Sequence, residues 1–316
     1  MLINSFEKNN SKLSLKVKKR FNEKMGKMLS YLSSDDIVKT GRVENYTLCD
    51  EINLYYREDL SKKISVFIPD SYDGVTPHDI LYFFDAQNLF SMAGDYTENG
   101  DPYGSWQLDL VISQLNRQYG KNIIVVGIDN ADIYRSHELF MSPDRFGDLS
   151  PLATSIPDDD FSRGYLESLS EFMVTTLHSF VKEKYCVKED NIGIGGASMG
   201  GIASFFCGIH EMGFYKYILS YSPAFGLYEM SAFDSWLAKL DLKKNSDILP
   251  GVHIYCGGGD MLEKQLLPAS CAMKKLLVKH GYDPEIIFET YDNKKAHNEE
   301  SWRLVLPESF SCLLNL

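Results

Sequence analysis

Residues 191–201 constrain the fold more than any other segment of this chain. Ile192 and Ile194 form a short apolar run that enters a turn built from Gly193, Gly195, Gly196, Gly200 and Gly201 around a single serine, Ser198. An apolar stretch with Ile202, Ala203, Phe205 and Phe206 follows at once. A buried strand passing so abruptly into a helix needs glycine wherever backbone crosses backbone, since a Cβ there would clash. The residue at the tip, Ser198, is lifted clear, with the helix N-terminus pointing its N–H groups at whatever reacts there.

The rest of the chain supplies the layers such a unit needs. Val43–Leu48 and Ile64–Ile68 read as strands, and Ile80–Phe84 and Ile123–Ile128 as fully buried ones. Ile192–Ile194, Tyr217–Tyr221, Val252–Cys256 and Glu285–Tyr291 read as further strands. Trp106–Leu115, Leu166–Tyr185, Leu262–His280 and Glu299–Leu314 have helical spacing. Residues 131–162, with Pro143, Pro151, Pro157 and Asp158-Asp159-Asp160, read as one long functional loop. Strands alternating with helices imply an α/β fold: a mostly parallel central sheet with helices on both faces, over 41–316. Residues 1–40 read as a separate basic amphipathic helical extension. Its first 30 residues carry eight Lys and Arg against Glu7 and Glu23, a net +6 that leaves −18 for the rest of a chain whose total is −12. A helix packed on the acidic body, or one meeting a membrane surface or a partner, fits that segment.

Composition excludes several functions. An acidic body argues against nucleic acid as a partner. No apolar run reaches the length of a transmembrane segment. The six cysteines (Cys49, Cys186, Cys207, Cys256, Cys271, Cys312) lie apart with no C-x-x-C. Free thiols in a reducing compartment are therefore expected, with no metal site. Without a secretory h-region, a cytoplasmic location is expected. A homo-oligomer is left open.

The chemistry starts from Gly196-Ala197-Ser198-Met199-Gly200, which fits the G-x-S-x-G nucleophile elbow. Gly193-Ile194-Gly195 begins a dinucleotide fingerprint, but the third glycine position is Ser198 and the match fails. No P-loop exists, so no nucleotide or other cofactor is implied. A serine hydroxyl needs a base and the base an orienting acid, in the order Ser, acid, His. Open α/β sheets build sites at the carboxyl ends of strands. Asp260 follows Gly257-Gly258-Gly259 at such an end, although it also reads as the N-cap of the following helix; Glu263 is the alternative acid. Of seven histidines, only His297 combines a C-terminal place with a loop after a strand. An oxyanion needs two N–H donors. Met199 supplies one, and Ala86 or Gln87 on the loop after Ile80–Phe84 the other.

Four segments then coincide. Leu81–Phe90 is similar to an apolar strand followed by D-G-Q-N-L-F; Ile124–Asn130 comes with Arg135 and Glu138. Gly196–Gly201 is followed by Ser220–Phe225, and His297–Arg303 by Leu306-Pro307. Together they resemble the putative-esterase branch of the α/β-hydrolases, which includes feruloyl, enterochelin and esterase D-like enzymes, over roughly residues 43–314. The resemblance implies an α/β-hydrolase fold and a serine esterase, with Ser198 as nucleophile, Asp260 as acid and His297 as base. Ala86 stands where the family often has glycine. The substrate is a small-molecule ester. Asn88, Arg135, His137, Tyr165, Phe225 and Trp302 are candidates to bind it, and Tyr134 and Trp106 could line its pocket as well. Acyl transfer to an alcohol through the same triad, and a non-catalytic binding scaffold, are the rival readings.

Overall fold

The computed structural model describes residues 41–49, 61–90, 105–156 and 161–313. The expected basic extension at 1–40 lies outside the described residues, as does Asp158–Asp160. Eight strands form one sheet: β1 Gly41–Cys49, β2 Ser61–Pro69, β3 His78–Phe84, β4 Ile123–Ile128, β5 Val187–Ala197, β6 Tyr217–Tyr221, β7 Gly251–Gly257 and β8 Ile287–Asp292. Their order across the sheet is β1-β2-β4-β3-β5-β6-β7-β8. β1 pairs antiparallel to β2, and β2 antiparallel to β4; every pairing from β4 to β8 is parallel. This is the α/β-hydrolase architecture expected from the alternating pattern. Its consequence is positional. Six parallel strands bring all their carboxyl ends to one edge of the sheet, so the residues following β3 to β8 gather there.

The near-continuous apolar runs arise because both faces of the central strands are covered. Along β3, Ile80, Tyr82 and Phe84 enter one core, and Leu81 and Phe83 the other. β4 divides likewise, with Ile124, Val126 and Ile128 opposed to Ile123 and Val125. The glycines of β5 fit this packing. A Cβ at Gly193 would lie 2.1 Å from the Tyr217 ring, and one at Gly195 would lie 2.6 Å from the Phe83 ring. Glycine there admits two large aromatic rings over the centre of the sheet, at the cost of weaker strand propensity.

Several boundaries differ from the periodicity. β5 begins at Val187, five residues before its apolar pair, because its first half lies toward the surface and its residues are more polar. Among the described residues, the first α-helix runs Leu108–Tyr119, ended by Gly120 in the left-handed conformation (φ 62°). Residues 131–162 are not one irregular loop. They carry short helices at Arg135–Glu138, Pro143–Phe146 and Pro151–Thr154. The last two begin with Ser-Pro, and at the second Ser150 Oγ accepts the Leu152 N–H at 3.1 Å. Such single turns are too short to show a period. Glu285 belongs to a 3-10 turn, Pro284–Ile286, so β8 starts at Ile287. Among the described residues no helix is long and apolar enough to cross a membrane.

Candidate active site

Ser198 stands between β5 and the helix Met199–His210, at φ 57° and ψ −118°. This is strained backbone for a residue with a Cβ. The surroundings enforce it. A Cβ at Gly196 would lie 2.4 Å from the Gly200 carbonyl oxygen, and one at Gly201 2.7 Å from that of Tyr221. The Ser198 carbonyl accepts the N–H groups of Gly201 and Ile202, each at 3.1 Å, and of Ala224 at 3.0 Å. Its own N–H donates to the Tyr221 carbonyl at 2.9 Å. With the main chain fixed on every side, the hydroxyl projects into a cleft.

The carboxylate beside His297 is not the one the resemblance implies. Asp260 is the N-cap of the helix Met261–Lys279: its Oδ1 accepts the Glu263 N–H at 2.8 Å, and its Oδ2 accepts the backbone N–H of His297 at 2.6 Å. Both oxygens are engaged by main chain. The carboxylate facing the imidazole belongs to Glu263, whose Oε1 lies 3.1 Å from His297 Nδ1. Glu263 is fully buried, and its Oε2 accepts the Gly257 N–H at 2.8 Å and the Cys256 thiol at 3.1 Å. Burial works to raise the Glu263 carboxyl. The hydrogen bonds from His297 and Ser222 and the His297 charge outweigh it, so the group is held below its ordinary value. Asp260 is lowered too: burial opposes, and the Glu263 and His297 N–H groups prevail.

The glycine run Gly257–Gly259 makes this meeting of loops feasible. A Cβ at Gly257 would lie 2.4 Å from the Lys295 carbonyl oxygen, and one at Gly259 2.6 Å from that of Lys294. Bare backbone lets the loop after β8 lie across the loop after β7, and Gly258 and Gly259 donate to the Lys295 carbonyl at 3.2 and 2.8 Å. Asn298 closes the arrangement. Its Oδ1 accepts the Ser301 N–H at 3.0 Å, starting the last helix immediately after His297. Among the described residues, the Ser198 hydroxyl makes no hydrogen bond to His297. The structure thus joins Glu263 to His297, and holds Ser198 at the same sheet edge.

The loop after β3 faces the elbow. Asp85 has φ 59° and starts the 3-10 turn Ala86–Asn88. The left-handed position therefore falls on Asp85, not on Ala86, so alanine at 86 carries no backbone penalty. Arg135 grips the Asp85 carboxylate with both ends of its guanidinium, Nε to Oδ1 at 2.7 Å and a terminal nitrogen to Oδ2 at 2.8 Å; Asn130 adds a third donor at 2.7 Å. Burial pushes the Asp85 carboxyl up, but the Arg135 charge and hydrogen bonds hold it below the ordinary value. A Cβ at Gly200 would lie 2.8 Å from Asp85 Oδ2, so this loop touches the start of the elbow helix. The Met199 N–H, at the first position of that helix, lies outside its ladder.

The cleft above Ser198 has a volume of about 430 Å³. Of the pocket candidates, Asn88, Arg135, Trp106 and Trp302 line it; Gln87, Asn130, Asp132 and Glu299 join them in the lining, together with Ser198 itself. Asn88 Nδ2 donates to Glu299 Oε1 at 2.5 Å, and Trp302 stacks on Trp106 at 5.3 Å. Three candidates do not fit a pocket role. Phe225 is fully buried and packs edge-on against Phe205 at 4.8 Å, in the core behind the site. His137 packs against Tyr134, and its carbonyl accepts the Tyr165 N–H at 2.9 Å; neither His137 nor Tyr165 borders the cleft.

A family model described as "Putative esterase" matches residues 59–309. No curated protein sequence matches the chain. Among solved structures, the BES protein from Bacillus cereus superposes with a TM-score of 0.63 at 12% identity, covering 87% of this chain and 97% of that one. The feruloyl esterase module from Clostridium thermocellum complexed with sinapinate gives 0.57 at 14%, covering 87% and 88%. The enterobactin esterase from Shigella flexneri in the presence of enterobactin gives 0.61 at 15%, covering 87% of this chain; the chain spans only 59% of that enzyme's length. These likenesses establish a shared fold.

Proposed function

This chain belongs to the putative-esterase family of the α/β-hydrolases and is a carboxylic ester hydrolase, and from that premise we propose that Ser198 is its nucleophile, His297 its general base and Glu263 its orienting acid. The observation that carries the assignment is the contact of His297 Nδ1 with the buried carboxylate of Glu263 at 3.1 Å, while Trp302, packed edge-on against the His297 ring, lines the same cleft as the strained Ser198. A carboxylate on Nδ1 fixes the tautomer in which Nε2 is free to take a proton.

In the proposed reaction, Ser198 Oγ attacks the ester carbonyl carbon while His297 Nε2 takes the hydroxyl proton. The carbonyl π pair moves onto oxygen, and the oxyanion is met by the Met199 N–H and by an N–H from Ala86 or Gln87. The pair returns, the ester C–O bond breaks, and His297 delivers its proton to the departing alcohol. Water then adds to the acyl-enzyme by the same route, and the carboxylic acid leaves with Ser198 restored. Glu263 stays ionised and stabilises each imidazolium. Asp260 holds the main chain of both partners: it fixes the first turn carrying Glu263 and the N–H of His297.

The test is turnover of p-nitrophenyl acetate by Ser198→Ala and His297→Ala. Loss of activity by about 10³-fold or more in both is expected, since the serine and its base act as one unit. Full turnover by either variant would overturn the assignment.

A further inference from the structure

Ser222 directly follows β6, which lies between β5 and β7 in the sheet. It is fully buried, and its φ is 40°, where glycine would be less strained. Its N–H donates to the Tyr255 carbonyl at 2.6 Å. Its hydroxyl donates to Glu263 Oε1 at 2.5 Å, the same oxygen that faces His297 Nδ1. In turn it accepts the indole N–H of Trp302 at 2.9 Å. Trp302 also sets its ring edge-on to the His297 imidazole at 5.0 Å and lines the cleft.

The direction of these bonds matters. An indole nitrogen can only donate. By occupying a lone pair of Ser222 Oγ, Trp302 leaves the hydroxyl proton aimed at Glu263. From this geometry we infer that Ser222, oriented by Trp302, is a positioning residue that sets how strongly Glu263 holds the protonated His297. The inference rests on the Ser198–His297–Glu263 reading. Its physical basis is competition on one oxygen. A charge-assisted O–H bond draws negative charge from Oε1, and the imidazolium sees what is left. The other titratable groups against Glu263 are the Asp260 carboxylate, whose oxygens face main-chain N–H groups, and the Cys256 thiol and Tyr255 phenol. Burial first, and then the Glu263 charge, push that thiol and that phenol up, so both stay neutral through the working range.

The experiment is the pH dependence of kcat/KM for p-nitrophenyl acetate in Ser222→Ala and Ser222→Gly. The glycine variant suits φ 40° and protects against simple misfolding. Without the hydroxyl, Glu263 holds the imidazolium more tightly, so the acidic limb should move up by about half a pH unit, a part of the free energy of one charge-assisted hydrogen bond. Trp302→Phe should move the limb the same way, and should move it no further in the Ser222→Gly background. A merely structural role would lower the active fraction and leave the limb in place. An unmoved limb in both Ser222 variants, or additive shifts from Ser222→Gly and Trp302→Phe, would overturn the inference. Turnover surviving in a Ser198→Ala control would instead overturn the site reading and this inference with it.

Discussion

Replacing Glu263 by Gln separates the two acids that the sequence offers. Glu263 receives four donors: Ser222 O–H and His297 N–H on Oε1, and the Gly257 N–H and Cys256 S–H on Oε2. An amide has one oxygen and one NH₂ group, so one pair of donors must then face another donor. If the NH₂ faces Oε1's partners, His297 loses its acceptor and its tautomer reverses. If it faces Gly257, a buried backbone N–H is left unsatisfied, at about 1–3 kcal/mol. The negative charge is lost either way. In serine enzymes an acid-to-amide change of this kind lowers kcat by about 10⁴, or about 5.4 kcal/mol at 1.36 kcal/mol per decade. Asp260→Asn differs. Its oxygen still accepts one of the two N–H groups, so the change should cost about 1 kcal/mol of stability and about tenfold in kcat. Stopped-flow or steady-state turnover of p-nitrophenyl acetate, beside a thermal melt for each variant, decides between them. Equal losses in two folded variants, or a milder loss in Glu263→Gln, would refute the assignment of the acid.

Other outcomes follow from the same contacts. Gly196→Ala places a Cβ 2.4 Å from the Gly200 carbonyl oxygen; chemical denaturation should show a loss of at least about 1–3 kcal/mol. Phe225→Ala should lose about 3–5 kcal/mol on the same assay, with KM for a small aryl ester unchanged, because the ring lies behind the site; a raised KM would return it to the pocket. Arg135→Lys removes the two-pronged grip on Asp85 and should lower kcat about tenfold without changing phosphonate stoichiometry, since a single ammonium cannot replace the fork. Acid should destabilise the fold. Glu263 and Asp260 are held below their ordinary values of 4.5 and 3.8, so the stability they supply is present above those values and is lost as pH falls through the lower, folded ones. A urea midpoint that stayed constant from pH 6 down to pH 3 would contradict this.

The fold was legible because its central strands are buried on both faces, so their apolar runs announce themselves: Ile80–Phe84 and Ile123–Ile128 lie within observed strands. The order Ser198, acid, His297 and the parallel sheet together point to one edge. The acid was harder to read. Asp260-Met261-Leu262-Glu263 is the pattern of an N-cap followed three residues later by glutamate, in which the glutamate ordinarily turns back to the cap's own N–H. Here Asp260 keeps the capping role, while Glu263 is drawn to Gly257, Ser222 and His297. That choice depends on three other loops, and no local pattern encodes it. Its traces in the sequence are the competing N-cap reading of Asp260 and the place of Glu263 as the alternative acid. Ser222 was missed for a like reason: it follows β6 by one residue, and its importance comes from Trp302, eighty positions on.

The central claim is that the hydroxyl of Ser198 is the group that takes the acyl chain. A fluorophosphonate forms a stable adduct with such a hydroxyl, and intact mass followed by peptide mapping locates it. One adduct per chain, on the peptide containing Ser198 and absent from Ser198→Ala and His297→Ala, is the predicted result. An adduct on any other residue, or undiminished labelling of Ser198→Ala, would contradict it.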